Sequence, residues 1–395
     1  MDSYYRPTVA EISLDALERN VKAFREGIAP GTRLLASVKA NGYGHGAVET
    51  ARAAIRAGAD YLGVAFLDEA LELRNAGIEA PILVLGATPP EGFPLARRHG
   101  ITLTLYRDEQ LNAIETMTSP GPRLKAHVKI DTGMGRLGVR PGPEAERFLE
   151  RACKMAALEV EGMFTHYAKA DESDKTHARM QAERFASVAE YVRRNGLPLQ
   201  VVHAGNSAAG IDLPENVGQM LRLGIGMYGL YPSGEVRRDR IALEPVLSLK
   251  TRIVHVKTVP AGEIISYGGR YRTARPEKIG TIPIGYADGF SRMLTGKAEA
   301  LVRGRRVPVR GTICMDQCML GLDAAEDIGP GEVEPGEEAV LIGRQGSEAI
   351  TAEEVADKLG TINYEVTCMV ASRVPRVYLQ NGEKVAVRNP LFSGE

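Results

Sequence analysis

Short apolar segments alternate with longer amphipathic segments between residues 13 and 243. The apolar runs resemble buried strands, and the segments between them carry apolar residues at helical spacing. Eight such runs occur, at Leu34–Val38, Tyr61–Ala65, Ile82–Leu85, Ile101–Leu105, Leu124–Ile130, Leu158–Phe164, Leu199–His203 and Met220–Leu223. Because eight parallel strands, each joined to the next by a helix, close a barrel, the pattern predicts an α/β fold with a (β/α)8 barrel over residues 1–244.

The amphipathic segments give the clearest helix predictions at Gly46–Ala57, Leu67–Ala76 and Lys175–Arg194. Asp15, followed three residues later by Glu18, is predicted to cap the opening helix.

The pattern changes after Glu244-Pro245, where short β-type runs are bounded by Gly and Pro. It predicts a mainly-β C-terminal domain over residues 245–395, with which the first 12 or so residues are candidates to pack. Thr351–Leu359 is the only clear helix prediction in this part.

Composition narrows the class of function without identifying one. Among 395 residues the formal net charge is −1, so no global field favours nucleic acid or an anionic membrane. Four cysteines do not form a disulfide framework in so long a chain, and there is neither a metal-type cysteine pattern nor a long apolar stretch. We therefore expect a cytoplasmic protein that binds a small molecule, with no metal.

Polar residues close several of the predicted strands. In a (β/α)8 barrel, the carboxyl ends of the strands carry the functional side chains. The residues at these ends are Lys39, Lys129, Arg136, His166, His203, Ser207, Arg222 and Gly224. Taken singly, each has an ordinary interpretation, such as a core histidine, a helix cap or a turn. Together they predict a shared ligand, because buried polar groups need partners.

The most informative segment is Val38-Lys39-Ala40-Asn41-Gly42-Tyr43-Gly44-His45-Gly46. It places a lysine where an apolar strand ends, and such an amine can form an imine with an aldehyde cofactor. Its glycines, and the helix predicted to begin near Gly46, could also present backbone N–H groups to a phosphate.

This segment resembles the lysine motif of the alanine racemases, which use pyridoxal 5'-phosphate. The resemblance implies that Lys39 carries the cofactor as a Schiff base and that Tyr43 contacts its phosphate. In the barrel it further implies that His166 stacks on the pyridine ring and that Arg222 faces the pyridine nitrogen. The phosphate contacts implied there come from Ser207, Gly224 and Ile225.

Motifs of the same family recur in the second domain. Ile264-Ile265-Ser266-Tyr267-Gly268-Gly269 resembles the motif whose tyrosine acts across a dimer interface, which implies a homodimer with Tyr267 as the base for L-alanine and Lys39 as the base for D-alanine. By the same resemblance, the Met315 amide and Arg136 bind the substrate carboxylate, and Tyr364 donates to the phosphate. Ile362 and Tyr364 would restrict the side-chain pocket to a methyl group.

Lys129 and Thr312 differ from the positions above, because neither is expected to bind the cofactor or the substrate directly. Lys129 and Arg136 are neighbouring cations, and some family members carbamylate the matching lysine, so we expect Lys129 to be carbamylated. Thr312 occupies a position where a number of relatives have arginine, which leaves the charge at the substrate gate undecided.

The resemblance, from about Lys39 to Arg376, implies an alanine racemase that supplies D-alanine for peptidoglycan. An amino-acid racemase of broader specificity, for example toward serine, remains an alternative. A related decarboxylase would place an acidic residue opposite the pyridine nitrogen, where this chain has Arg222. A non-catalytic pyridoxal-phosphate carrier is less consistent with the chain, because such proteins end after the barrel.

Overall fold

The structure, a computed structural model, describes residues 4–117, 121–326 and 331–392. It forms two compact units. The barrel unit comprises Ala16–Gly42 and Ala47–Glu244, and the strand-rich unit comprises Met1–Asp15, Tyr43–Gly46 and Pro245–Glu395. The first strand, β1 (Val9–Ser13), belongs to the strand-rich unit.

The barrel unit contains eight parallel strands, which confirms the predicted fold class. The strands are β2 (Arg33–Ser37), β3 (Tyr61–Val64), β4 (Ile82–Val84), β5 (Ile101–Leu105), β6 (Leu124–Lys129), β7 (Leu158–Phe164), β8 (Val201–His203) and β9 (Met220–Leu223). β9 pairs with β2, and backbone bonds from Gln219 N to Val202 O (2.8 Å) and from Arg222 N to Gly205 O (3.0 Å) close the ring at β8. Each observed strand lies within two residues of its predicted limits.

Apolar side chains form much of the barrel core, as expected for parallel strands that helices cover. One cluster joins Leu35, Tyr61, Leu83, Val201 and Met220 from five strands.

The helices of the barrel unit are Leu14–Gly27, Ala47–Arg56, Leu67–Asn75, Phe93–Arg98, Asp108–Glu115, Pro143–Lys154, Thr176–Arg194 and Ser207–Asp212.

The predicted cap at Asp15 is wrong. The first helix begins at Leu14, which places Asp15 inside its first turn. The Asp15 carboxylate instead accepts the backbone N–H of Asn381 at 2.7 Å, a partner remote in sequence that no local pattern indicates.

The strand-rich unit contains a large mixed sheet and a short hairpin. Its strands after β1 are β10 (Leu247–Arg252), β11 (His255–Val259), β12 (Ile264–Ile265), β13 (Tyr271–Arg272), β14 (Glu277–Ile282), β15 (Glu299–Val302), β16 (Arg305–Arg310), β17 (Cys318–Gly321), β18 (Glu338–Gln345), β19 (Glu348–Ile350), β20 (Arg376–Gln380) and β21 (Glu383–Arg388). The sheet order is β11-β14-β17-β16-β15-β18-β10-β1-β20-β21, with β19 on β18, and β12 pairs with β13. Thus β1 lies between β10 and β20, antiparallel to the first and parallel to the second.

Helices in this unit differ from the prediction. Ala352–Leu359 forms as expected, and the Thr351 side chain caps it by accepting the Glu354 N–H at 3.1 Å. Asp323–Glu326 and Asn363–Cys368 are also helical, so the prediction of a single helix is wrong. Both are too short to show a helical period, and the second carries Tyr364.

Candidate active site

The polar residues predicted at the barrel rim occupy the carboxyl ends of its strands. Lys39 lies two residues after β2, Lys129 is the last residue of β6, and His166 follows β7 by two residues. Arg222 lies within β9, one residue before its end. Parallel strands therefore bring side chains from distant parts of the sequence to one rim.

The chain leaves Lys39 through a left-handed turn. Ala40, Asn41 and Gly42 have φ values of 52°, 51° and 62°, a conformation that costs non-glycine L-residues about 1–2 kcal/mol each. Glu69 braces this turn, since its carboxylate accepts the N–H groups of Ala40 and Ala65, both at 2.6 Å. Such a braced, strained turn positions the half-buried Lys39.

The helix after this turn begins at Ala47. Asn41 Oδ1 accepts the Ala47 N–H at 3.0 Å and so caps Ala47–Arg56. One of the backbone N–H groups at the helix start is therefore already bonded to a side chain.

Arg222 is buried, and its hydrogen-bond partners among the described residues are all neutral. Its Nη1 contacts His203 Nδ1 at 2.9 Å, and its Nη2 contacts Thr165 O at 2.7 Å, Ala204 O at 2.8 Å and His166 Nδ1 at 3.1 Å. Burial, helped by the Arg136 charge, lowers the pKa of Arg222 to about 9, so the guanidinium is still charged at neutral pH. These contacts hold a cation at the rim without a carboxylate among the described residues.

Lys129 is a second buried basic side chain. Its side chain is only 5% exposed, and Nζ lies 4.1 Å from the centroid of the Phe164 ring. Burial, together with the Arg222 and Arg136 charges, holds the pKa of Lys129 well below its usual range. The neutral amine, which is the nucleophilic form, is therefore favoured at this position.

The histidines around Arg222 are neutral. Burial and the Arg222 charge hold the pKa of both His166 and His203 well below the usual range. Lys39 also contributes to the shift at His166, which places these two predicted residues within electrostatic reach of each other.

Ser207 and Gly224 meet directly. Ser207 Oγ accepts the backbone N–H of Gly224 at 2.9 Å and that of Gly226 at 3.4 Å, and Ile225 is buried between the two glycines. Because the hydroxyl accepts in both bonds, its own proton can be donated to an anion. Arg136 is an exposed side chain of a glycine-rich loop, and its charge contributes to the lowered pKa values of Lys129, His166 and Arg222.

Tyr43 and Tyr364 lie together in the strand-rich unit, with ring centroids 6.2 Å apart. The glycine after Tyr43 explains this proximity. A Cβ on Gly44 would lie 2.1 Å from the Thr367 carbonyl oxygen, and Arg376 Nε donates to Gly44 O at 3.0 Å. The glycine thus allows the helix that carries Tyr364 to approach this segment.

Tyr267 is exposed, but its backbone is held in place. The side chain is 72% accessible in the single chain. Thr312 Oγ1 donates to Tyr267 O at 2.8 Å, and Ser266 Oγ donates to Thr312 O at 2.5 Å. Thr312 is itself 1% exposed, so it holds the Tyr267 loop and does not present a side chain to solvent.

The Met315 loop is clamped to the turn Gly285–Asp288. Tyr286 N donates to Cys314 O and Ala287 N to Met315 O, both at 3.1 Å. Any side chain on Gly285 would overlap these carbonyls. The buried Asp288 carboxylate holds this turn in place by accepting hydrogen bonds from the Arg6 side chain at 2.8 Å and from the Arg373 side chain at 2.7 Å.

The barrel residues fit a phosphate-bearing pyridine cofactor. The buried Arg222 guanidinium pairs with no carboxylate in the part of the chain that the structure describes, so an anionic ligand would offset its charge. A guanidinium can only donate, which matches the lone pair of a pyridine nitrogen. Among the described residues, no group of His, Cys, Asp and Glu side chains is arranged to bind a metal ion.

Two positioning residues, Glu69 and Asp288, were missed from the sequence, and Thr312 was given a different role there. Glu69 accepts backbone N–H groups, Asp288 binds two arginine side chains, and Thr312 donates to the backbone of Tyr267, contacts that only the fold reveals. His127 had a signal, because it is a polar residue inside a predicted barrel strand. No described helix is long and apolar enough to cross a membrane.

Comparisons with known proteins match both units. The sequence model "Alanine racemase, N-terminal domain" matches residues 12–232, and "Alanine racemase, C-terminal domain" matches residues 246–378. The alanine racemase of Halalkalibacterium halodurans is 46% identical over 99% of this chain and all of its own length. Alanine racemase 1 of Bacillus subtilis is 45% identical over 98% of this chain and 97% of its own.

Solved structures agree with the sequence comparisons. The alanine racemase of Bacillus anthracis with bound L-Ala-P superposes with a TM-score of 0.92 at 43% identity, covering 98% of this chain and 99% of that one. A Clostridium difficile alanine racemase in complex with cycloserine has a TM-score of 0.90 at 39% identity, with the same coverage of both chains.

Proposed function

The chain belongs to the alanine racemase family, and on this premise we propose that it interconverts L- and D-alanine with pyridoxal 5'-phosphate, using Lys39 and Tyr267 as its two proton-transfer groups. Arg222 is the observation that favours a racemase over a decarboxylase of related fold. A buried guanidinium surrounded by neutral acceptors occupies the position where a decarboxylase of related fold would need an acid.

The residues that would hold the cofactor come from the segments described above. Lys39 would bind its aldehyde carbon, Arg222 would donate to its pyridine nitrogen, and His166 would lie against its ring. Ser207, Gly224 and Ile225 would donate to its phosphate, and family resemblance adds Tyr43 and Tyr364. When bound, pyridoxal phosphate supplies an electron sink that acidifies the α-carbon proton of an amino acid.

Two bases are needed because racemisation removes a proton from one face of the α-carbon and returns one to the other. We assign proton removal from D-alanine to Lys39 and from L-alanine to Tyr267. In each direction, the second residue delivers its proton to the opposite face. The braced turn at Lys39 and the bonded backbone at Tyr267 limit the movement of both groups.

The substrate carboxylate would be bound by the Met315 amide and Arg136. Tyr364 and the exposed Ile362 would restrict the side-chain pocket. Because crowding discriminates by only about 1–3 kcal/mol per methylene, slow turnover of serine is expected.

The exposed Tyr267 supports a homodimer in which each active site takes this tyrosine from the partner subunit. A phenol that is 72% accessible in one chain has the freedom to enter a neighbouring site. We further propose a cytoplasmic enzyme that supplies D-alanine for peptidoglycan.

One experiment tests the activity and the assignment of the bases. The holoenzyme is incubated with L-alanine in deuterated water, while optical rotation and α-deuterium content are followed. We expect rotation to decay together with deuterium uptake, and Tyr267→Phe to slow deprotonation of L-alanine by about 10²–10⁴-fold, more than that of D-alanine. Carbon dioxide release, or no exchange, would contradict a racemase. With D-alanine run in parallel, equal losses in the rate of α-proton exchange from the two enantiomers would contradict the assigned faces.

L-Serine in the same assay addresses broader specificity. Rates for serine equal to those for alanine would favour the broad-specificity racemase. Slow exchange of serine would agree with a pocket shaped for a methyl group.

A further inference from the structure

A chain of hydrogen bonds runs from the barrel rim into its centre. Arg222 Nη1 contacts His203 Nδ1 at 2.9 Å, and His203 Nε2 contacts His127 Nδ1 at 2.9 Å. All three side chains are buried, with both histidines wholly inaccessible. The chain thus joins β9, β8 and β6 beneath the rim.

The bonding partners determine where each proton lies. Arginine only donates, so His203 Nδ1 must accept. A neutral imidazole has one donor and one acceptor, so His203 Nε2 carries the proton and donates it to His127 Nδ1. Both imidazoles are neutral, because burial lowers the pKa of His127 to about 4 and holds that of His203 well below its usual range.

The fold makes room for His127 at this point. The pairing of β6 with β7 shifts register between Ala126 and His127, which sets His127 opposite Gly162. A Cβ on Gly162 would lie 3.1 Å from His127 Cε1 and 2.3 Å from Val201 O. On the other side, His203 stacks on Phe164 with centroids 5.0 Å apart and planes at 11°.

Packing alone does not account for a histidine at position 127, because an apolar ring could make the same contacts with Tyr61 and Phe164, whose centroids both lie 6.4 Å away. His127 Nε2 is buried and has no hydrogen-bond partner among the described residues, a cost that an apolar ring would avoid. The useful atom is Nδ1, which offers His203 the one acceptor that its Nε2 proton needs.

We propose that His127 is a positioning residue, which fixes the tautomer of His203 and thereby holds Arg222 in the orientation that faces the cofactor. Without an acceptor at His127, the buried Nε2 proton of His203 has no partner, at a cost of about 1–3 kcal/mol. That cost raises the population of the Nδ1 tautomer, and because two donors cannot bond, a His203 ring in this tautomer releases the Arg222 guanidinium. This inference rests on the proposed role of Arg222, but the tautomers can be observed independently of activity.

The direct test is nitrogen NMR of the holoenzyme labelled with ¹⁵N-histidine, which contains only seven imidazoles. We expect His203 protonated at Nε2, with Nδ1 as acceptor, and His127 protonated at Nε2. A wild-type His203 that is protonated at Nδ1, or doubly protonated, would overturn the proposal without any variant.

Two substitutions at one site separate bonding from packing. His127→Phe keeps a ring but removes the acceptor, whereas His127→Asn places an amide oxygen near the position of Nδ1. For His127→Phe we expect a shift of His203 toward the Nδ1 tautomer and a fall in kcat of about tenfold in both directions, with KM nearly unchanged. His127→Asn should retain the wild-type tautomer and most of the activity.

Thr8→Val is the control, since it removes a buried hydroxyl that donates to Pro283 O at 2.8 Å in the strand-rich unit. It should lower stability without altering the His203 signals. If His127→Phe lowers stability but leaves the His203 tautomer and kcat unchanged, His127 is structural and the proposal fails. An altered His203 tautomer with unchanged kcat would show that His127 fixes the tautomer without affecting the reaction. The proposed positioning of Arg222 would then be wrong.

Discussion

Lys129 and Thr312 show how the surroundings of a side chain change what its sequence position indicates. A lysine that ends a strand is ordinarily solvated, yet Lys129 is buried against Phe164 with two arginine charges nearby. A threonine in a loop is ordinarily a surface residue, yet Thr312 is buried and bonded to the backbone of Tyr267. In both cases the chemistry follows from burial and from the bonded partners.

We predict that Lys129 reacts with carbon dioxide to form a carbamate, with loss of one proton. Its burial favours the neutral amine that this reaction needs, and the negative product would pair with the neighbouring cations. Protein equilibrated with ¹³C-bicarbonate should show a carbamate carbon resonance that is absent from Lys129→Ala. Identical spectra for the two proteins would contradict the prediction.

Thr312→Val should slow the reaction by freeing the Tyr267 loop. The change preserves shape but removes the donor to Tyr267 O, a bond worth about 1 kcal/mol, so kcat should fall about fivefold. Steady-state kinetics in both directions provide the measurement. Thr312→Ser, which keeps the hydroxyl, is the matched control, and equal losses in both variants would argue against a role for this bond.

Close contacts between elements depend on a few glycines. Gly44 and Gly46 belong to the lysine motif, and their sequence indicated exposed backbone N–H groups. The structure shows another use within the strand-rich unit. A Cβ on Gly46 would lie 1.8 Å from the Tyr378 hydroxyl, and one on Gly44 would overlap the Thr367 carbonyl. These glycines let the segment that carries Tyr43 pack against β20 and the helix of Tyr364.

Gly44→Ala should be markedly destabilising, because it adds overlap with a backbone carbonyl to the strain of φ +85°. We expect a loss of about 2–4 kcal/mol in urea unfolding. Gly77→Ala is the control, since its φ is +78° but nothing lies within 4 Å of the added Cβ, and it should lose only about 1 kcal/mol. Similar losses for the two variants would show that the contact with Thr367 is unimportant.

The complete enzyme, as proposed, is larger than one chain. The single chain carries the cation-rich barrel rim and an accessible Tyr267, and the proposed reaction needs a base on each face of the α-carbon. A twofold dimer would supply two equivalent sites, each with Lys39 from one subunit and Tyr267 from the other.

Mixing two inactive variants tests this arrangement. A mixed dimer of Lys39→Ala and Tyr267→Phe chains would contain one site with both natural bases. After unfolding and refolding an equal mixture, we expect about a quarter of wild-type activity, since half of the dimers are mixed and each has one intact site of two. If both bases came from the same chain, the mixture would stay as inactive as its components.

Local pattern alone was sufficient to predict the barrel and the polar residues at its rim. Strand burial repeats over a few residues, so the eight runs from Leu34–Val38 to Met220–Leu223 locate every barrel strand. The carboxyl ends of those strands then place Lys39, Lys129 and Arg222 at one rim, because the handedness and closure of the fold leave little choice.

Pairings across long sequence separations required the folded chain. His127 lies 76 residues from His203, and Arg6 lies 282 residues from Asp288. A donor and an acceptor so far apart leave no periodic signal, since their bond forms only after closure of the barrel or completion of the sheet. Hydrophobic spacing therefore establishes which residues are buried, while three-dimensional packing selects the partner, the protonated atom and the orientation of each buried polar group.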